Sequence, residues 1–388
     1  MHVAAYLDHA TAPRLDSRVR DAVAAALAGG WASPSALHAP GASAAALVEE
    51  ARAHVAALVG ADPDDVVFTA GVAEARVTAV RGLRAGAGPD AVHAVASDLE
   101  HPHVRWALGD PGDPAGGWTA VGPDPEGRLA PAAVAGSLRR ATGLVALHHG
   151  QPDIGTVQDP DALVAAVRAA APDVRVHLDA AETAGVLPLE VEATGADAVT
   201  LGGAAMGAPP WAAALWVRPG ARMHPLVGGG LQEGGRRAGA EDVPGIAGLG
   251  EAARIARAGM AARARRRRDL AAGLLAGLES IPGVRRTGPP VTDRLPGHVS
   301  VVVPGVTGET LALALAGRGV CVSPGSACTS AAGKPHPVLV AIGVSPPDAH
   351  SALLLTLGPE TSREEVAAAV AAAREAVPAL RALSPRAP

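Results

Sequence analysis

Lysine is almost missing from this chain: 388 residues hold one, Lys334. Arginine supplies nearly all of the positive charge, a bias that reads as a high-GC genome, so each missing lysine has to be judged at its own site. Aromatics are equally scarce, with one Phe, one Tyr and five Trp. Aliphatic side chains and alanine must therefore fill the core. Two cysteines exclude a disulfide framework in a chain of this size. A net charge of −5 gives no reason to expect a nucleic-acid partner. No apolar run reaches membrane-spanning length, so no membrane partner is expected. Met1-His2-Val3 opens no signal peptide, and the cytoplasm is the expected compartment.

What is present is a regular alternation. Apolar residues make up 48% and charged residues 18%, the balance of a compact protein, and the length favours two lobes over one core. Short aliphatic runs at 65–69, 91–96, 144–148, 174–179, 198–202 and 213–217 read as strands buried on both faces. Alanine-rich helical stretches separate them, with start signals such as Ser43 and Asp159-Pro160. Repeated strand–helix units predict an α/β large lobe with a mostly parallel sheet between helices. From about Pro244 the texture changes to a smaller C-terminal α+β lobe: a long helix, strands at 299–303 and 353–357, and a terminal helix from Ser362. The expected division is an N-terminal segment 1–15 packing on the small lobe, a large domain 16–250 and a small domain 251–388. Arg263 and Arg265–Arg268 on the long helix read as a solvated face. Ser384–Pro388 reads as a frayed tail.

One loop carries visible chemistry. Pro324-Gly325-Ser326-Ala327-Cys328-Thr329-Ser330 presents a thiol among small residues, which suits a mobile nucleophile. Cys321, in a short strand, reads as core. His148 and His149 are poor joint metal ligands, because neighbours on a strand point to opposite faces, and no metal site is expected.

The order of these segments resembles the cysteine desulfurases, in the class V aminotransferase group of fold-type I pyridoxal phosphate (PLP) enzymes. The resemblance rests on Tyr6-Leu7-Asp8-His9-Ala10-Thr11, Phe68-Thr69-Ala70-Gly71, Glu100-His101, residues 154–159 (IGTVQD), His177-Leu178-Asp179-Ala180-Ala181, Arg237-Ala238-Gly239 and the Cys328 loop. It implies that Asp179 pairs with the pyridine nitrogen, that His101 stacks on the ring and that Cys328 accepts the substrate sulfur as a persulfide. It also implies a dimer, either a homodimer or a heterodimer with a related chain. Gly228–Gly230 and Arg236–Ala240 would lie at the contact.

Other positions depart from the family pattern. The family's Schiff-base lysine falls at Ala205, or at Ala204 if the register slips by one, and its serine and histidine neighbours fall at Gly202 and Ala204. The phosphate-binding threonine falls at Ala73, the threonine that reaches across the dimer at Ala240, and the substrate-carboxylate arginine at Leu354. The ring-oxygen asparagine falls at Gln151 and the glutamine beside it at Glu182. A hydrogen bond to a charged group contributes about 1.5–3 kcal/mol. Three or four lost phosphate contacts would thus cost roughly 5–10 kcal/mol, or about four to seven decades of affinity.

On that ground no cofactor is expected, with PLP the alternative. Asp179, Gln151 and Glu182 then become vestigial cofactor residues, and Asp179 alternatively caps the helix after its strand. Cys328 and His101 are catalytic candidates only if sulfur chemistry is retained. Three functions stay open. One is a catalytically degenerate partner or regulator in sulfur or biosynthetic metabolism. The second is a persulfide carrier that takes sulfur on Cys328 from a donor protein and passes it to an acceptor. The third is an active desulfurase-type enzyme holding PLP noncovalently.

Overall fold

In the computed structural model, which describes residues 3–110, 117–325 and 334–383, a seven-stranded sheet forms the frame of the large lobe. Its strands are β2 (Val66–Thr69), β3 (His93–Ser97), β4 (Trp118–Val121), β5 (Thr142–His148), β6 (Arg175–Asp179), β7 (Ala198–Gly202) and β8 (Ala213–Val217). They lie in the order β2-β8-β7-β6-β5-β3-β4. All pairings are parallel except those of β8, which runs antiparallel to β7 and β2. The expected parallel α/β sheet is therefore present, with one reversed strand inserted near an edge.

Alternation along each strand explains why the runs are apolar throughout. Phe68, Val95, Val145, Leu147, Leu178, Leu201 and Trp216 pack on one face. Val67, Ala94, Ala146, Leu215 and Val217 pack on the other. Helices α1 (Ser17–Gly29), α2 (Ala39–Val59) and α3 (Val72–Gly86) start the chain's coverage of these faces. Four further helices follow: α4 (Pro102–Leu108), α5 (Pro131–Gly136), α6 (Pro160–Ala170) and the single-turn α7 (Gly203–Met206). Several begin where the sequence signals a cap, as at Asp159, whose carboxylate accepts from Ala162 N at the start of α6.

One long helix joins the two lobes. α8 (Val243–Glu279) places Ile246, Leu249, Ala253 and Ala256 in the large core. Its second half places Leu270, Leu274 and Leu278 in a separate core with Val299, Val301, Leu353 and Leu355. A boundary at residue 250 falls inside this helix; the three-part division of the chain is our proposal. The small lobe holds an antiparallel sheet of β9 (Arg285–Arg286), β10 (His298–Val302) and β12 (Ala352–Thr356), a helix α9 (Gly308–Ala316) and a terminal helix Arg363–Leu383. A second, two-stranded sheet pairs β1 (Ala5–Tyr6) in parallel with β11 (Val320–Cys321). Ala5 and Leu7 join the small-lobe core.

The solvated-face reading of the arginine run holds for Arg265 and Arg266, which are exposed, and fails for Arg267, which is 7% exposed. Arg267 shares a helical face with the buried Ala264, Ala271 and Leu274. Edge strand β4 went unread in the sequence. Cys321 is only partly buried. Cys328, the rest of its loop at 326–333 and the tail Ser384–Pro388 lie outside the described residues. Among the described residues no helix is long and apolar enough to cross a membrane.

Candidate active site

Parallel strands end together, and here the carboxyl ends of β5, β6 and β7 carry His148, Asp179 and Gly202. Register places His148 beside Asp179 and Asp179 beside Thr200. Such strand ends are where open α/β sheets build their sites. Gly202 turns the chain from β7 into α7 against the Asp179 loop; a Cβ there would lie 2.5 Å from the Ala181 carbonyl oxygen. The turn delivers Ala204 and Ala205 to the wall of a cleft between the lobes, with a cavity volume of about 60 Å³. Glu182, His9, Arg267 and Thr356 line the same cleft.

Asp179 is not free. Its Oδ2 accepts from Arg76 Nε at 2.6 Å, and its Oδ1 accepts from the Ala181 N–H at 3.1 Å. Arg76 reaches it from α3, where it falls among the buried residues Ala75, Ala79, Val80 and Leu83. The two side chains are 5% and 4% exposed. Burial alone would raise the Asp179 carboxyl; the Arg76 charge and its hydrogen bond, with His177 and the Ala181 N–H, bring it below the usual carboxylate range. Glu182 lies 4.0 Å from the same guanidinium. Burial pushes its carboxyl up to about 7, opposed by Arg76 and reinforced by the negative charges of Asp179 and Asp153.

His101 caps α4, its Nδ1 accepting from His103 N at 3.2 Å. Burial, then the positive field of Arg76, lowers its imidazole to about 3, so the ring is neutral. Gln151 is 1% exposed and committed to its own turn. Its Oε1 accepts from Asp153 N at 2.6 Å and Ile154 N at 3.0 Å. Beneath them Glu100 is buried against His148. Gln158 Nε2 donates to His148 Nε2, so His148 Nδ1 carries the proton given to Glu100 Oε1 at 3.0 Å. His149 turns the other way and shares a hydrogen bond with Thr183 Oγ1.

At the start of α3 lies the turn Ala70-Gly71. Gly71, at φ +92°, supplies no side-chain cap to the first amides of the helix. Glu74 occupies part of this end: its Oε2 accepts from Ala70 N at 2.9 Å and its Oε1 from Arg237 Nε at 2.9 Å. Ala73 is exposed, and Ala240 contributes a carbonyl to Arg237 Nη1. Leu354 is buried within β12.

Sequence reasoning thus named Asp179, His101 and Glu182, which the fold gathers around one cation. It missed that cation. Arg76 was legible in principle, as an arginine on the apolar stripe of an amphipathic helix.

Residues 5–368 match the family described as Aminotransferase class-V. A cysteine desulfurase IscS of Dictyoglomus turgidum is 32% identical over 387 residues, covering 98% of this chain and 96% of its own length. A cysteine desulfurase IscS of Anaeromyxobacter sp. is 37% identical over 391 residues, covering 99% and 95%. Among solved structures, a NifS-like protein superposes with a TM-score of 0.89 at 26% identity, covering 97% of this chain and 99% of that one. DndA from Streptomyces lividans gives 0.75 at 29%, covering 88% and 96%. The fold is that of the class-V aminotransferases, and the chain belongs to the cysteine desulfurase family among them.

That membership overturns one expectation from the sequence. The missing phosphate contacts argued for no cofactor, but the family and its desulfurase relatives point to PLP. Side-chain contacts taken one by one leave out the backbone frame that the whole chain shares with these relatives. The resemblance would have the α3 amides hold its phosphate, His101 its ring face and Asp179 its nitrogen; in this structure Asp179 is paired with Arg76. Bound there, PLP supplies an electron sink for chemistry at a carbon next to an amine.

Proposed function

We propose that this chain is a cysteine desulfurase-family protein that holds PLP without a covalent tether and turns over free cysteine far more slowly than a desulfurase. It serves as a partner or regulator in cytoplasmic sulfur metabolism. The observation that carries the reading is the wall after β7, Gly203-Ala204-Ala205, where the resemblance calls for lysine. The only lysine of the chain, Lys334, is exposed and is not part of that wall. Without a strand-end amine, the site has neither a covalent anchor nor the base that would shuttle protons beside it.

Exposed apolar residues support pairing with a second chain. Leu226, Val227 and Leu231 are 41%, 45% and 91% exposed on the segment before Arg236. A homodimer or a pairing with a related desulfurase-like chain would cover them.

Borohydride reduction in the presence of PLP, followed by mass spectrometry, tests the reading. Wild type should gain no phosphopyridoxyl mass at residues 203–206, and Ala205→Lys should gain one there, with a visible band near that of an internal imine. A wild type that releases sulfide from cysteine as fast as a control desulfurase would overturn the proposal.

A further inference from the structure

We infer that the interlobe cleft is a binding site for a small monocarboxylate, with Arg267 as the group that receives the carboxylate. Arg267 lines the cleft from α8 and is 7% exposed. Its Nε is buried without a hydrogen-bond partner, and among the described residues it forms no ion pair. A buried guanidinium nitrogen without a partner is costly, and such groups are ordinarily hydrogen-bonded or ligand-bound. Its charged surroundings sharpen the point: burial lowers it to about 10, and the charged groups that act on it most are Arg263 and Arg268, both cations.

The neighbours of Arg267 suit an anion of one charge. Thr356 Oγ1 accepts from Ala10 N at 2.8 Å, which leaves its O–H free to donate into the cleft. His9 is held neutral, near 4, by burial and by Arg14, and its Nδ1 is buried and unpartnered. His298 lines the cleft too, but its nitrogens are engaged elsewhere: Nδ1 lies toward Gly155 and Nε2 donates to the Pro152 carbonyl at 2.7 Å. Among the described residues Glu182 is the only acid on the cleft wall, so a doubly charged phosphate would meet repulsion that a carboxylate meets less. Ala204, Ala205, Val186 and Leu295 give the wall an apolar stretch for a short aliphatic tail.

This inference goes beyond the proposed function and does not depend on the tether at residue 205. Calorimetric titration at constant ionic strength tests it, with sodium propionate and inorganic phosphate as probes, on wild type, Arg267→Leu and Arg267→Lys. Wild type should bind propionate saturably, and any phosphate binding should be unchanged in Arg267→Leu. Arg267→Leu should weaken propionate about 10- to 150-fold, the loss of one charged hydrogen-bonded contact. Arg267→Lys should retain part of the affinity. Without ligand, Arg267→Leu should melt higher than wild type, because a buried unpaired cation has been replaced by a side chain that suits its surroundings. No saturable propionate binding by wild type, equal propionate affinity in Arg267→Leu, or a lower melting point of Arg267→Leu would each overturn the inference.

Discussion

Replacing Arg76 with methionine removes the cation that neutralises Asp179 while keeping most of the side-chain volume. The pair is 2.6 Å apart and almost wholly buried. Taking away one partner of such a pair costs about 3–5 kcal/mol, because the other charge stays behind without compensation. Glu182, 4.0 Å from the same guanidinium, loses its favourable neighbour too. The pH dependence has a definite sign. In wild type the Asp179 carboxyl is held below 3.8, so its contribution is present above 3.8 and is lost as pH falls through the folded value. In Arg76→Met, burial without a cation raises the carboxyl above 3.8 instead, and protonation then relieves the folded state. Urea unfolding should therefore show a deficit of about 3–5 kcal/mol near pH 7.5 that shrinks toward about pH 4.5. The double variant Arg76→Met/Asp179→Asn should recover most of the loss, since removing both charges leaves no unpaired ion. A deficit under about 1 kcal/mol, or one that grows on acidification, would refute the reasoning.

Two more acids, the partly buried Glu182 and the buried Glu233, give measurable outcomes. Glu182 is raised from 4.5 to about 7, so it destabilises the folded state progressively as pH rises through that window; Glu182→Gln should flatten wild-type stability between those values and be the more stable protein above them, as read by urea unfolding across pH. Glu233 accepts from Arg52 at 2.8 and 2.9 Å and from Phe68 N at 2.8 Å, all buried. Glu233→Ala should therefore lose about 3–5 kcal/mol in urea unfolding, and Arg52→Ala should cost less in that background than alone.

The large-lobe strands were legible because burial on both faces leaves no polar alternation to hide them. Trp118–Val121 escaped notice because an edge strand of four residues is half exposed at its centre and carries too little pattern to mark itself. The positions of Asp179, His101 and Glu182 could be placed from motifs whose spacing follows the chain. What meets them could not, because Arg76 lies 103 residues from Asp179 in sequence and only the sheet brings them together. Arg267 misled for a related reason. Five arginines in a stretch of six look like one solvated face, but a helix turns about 100° per residue and carried one of them inward.

The small lobe is closed by segments far apart in the sequence. Ala5 and Tyr6 lie beside Val320 and Cys321, and the Tyr6 N–H donates to Glu365 across 359 residues. At about 5–20 residues per second of synthesis, the first strand waits roughly 15 to 60 s for its neighbour to be made. During that interval its hydrogen-bonding edge is open while the large lobe can already fold.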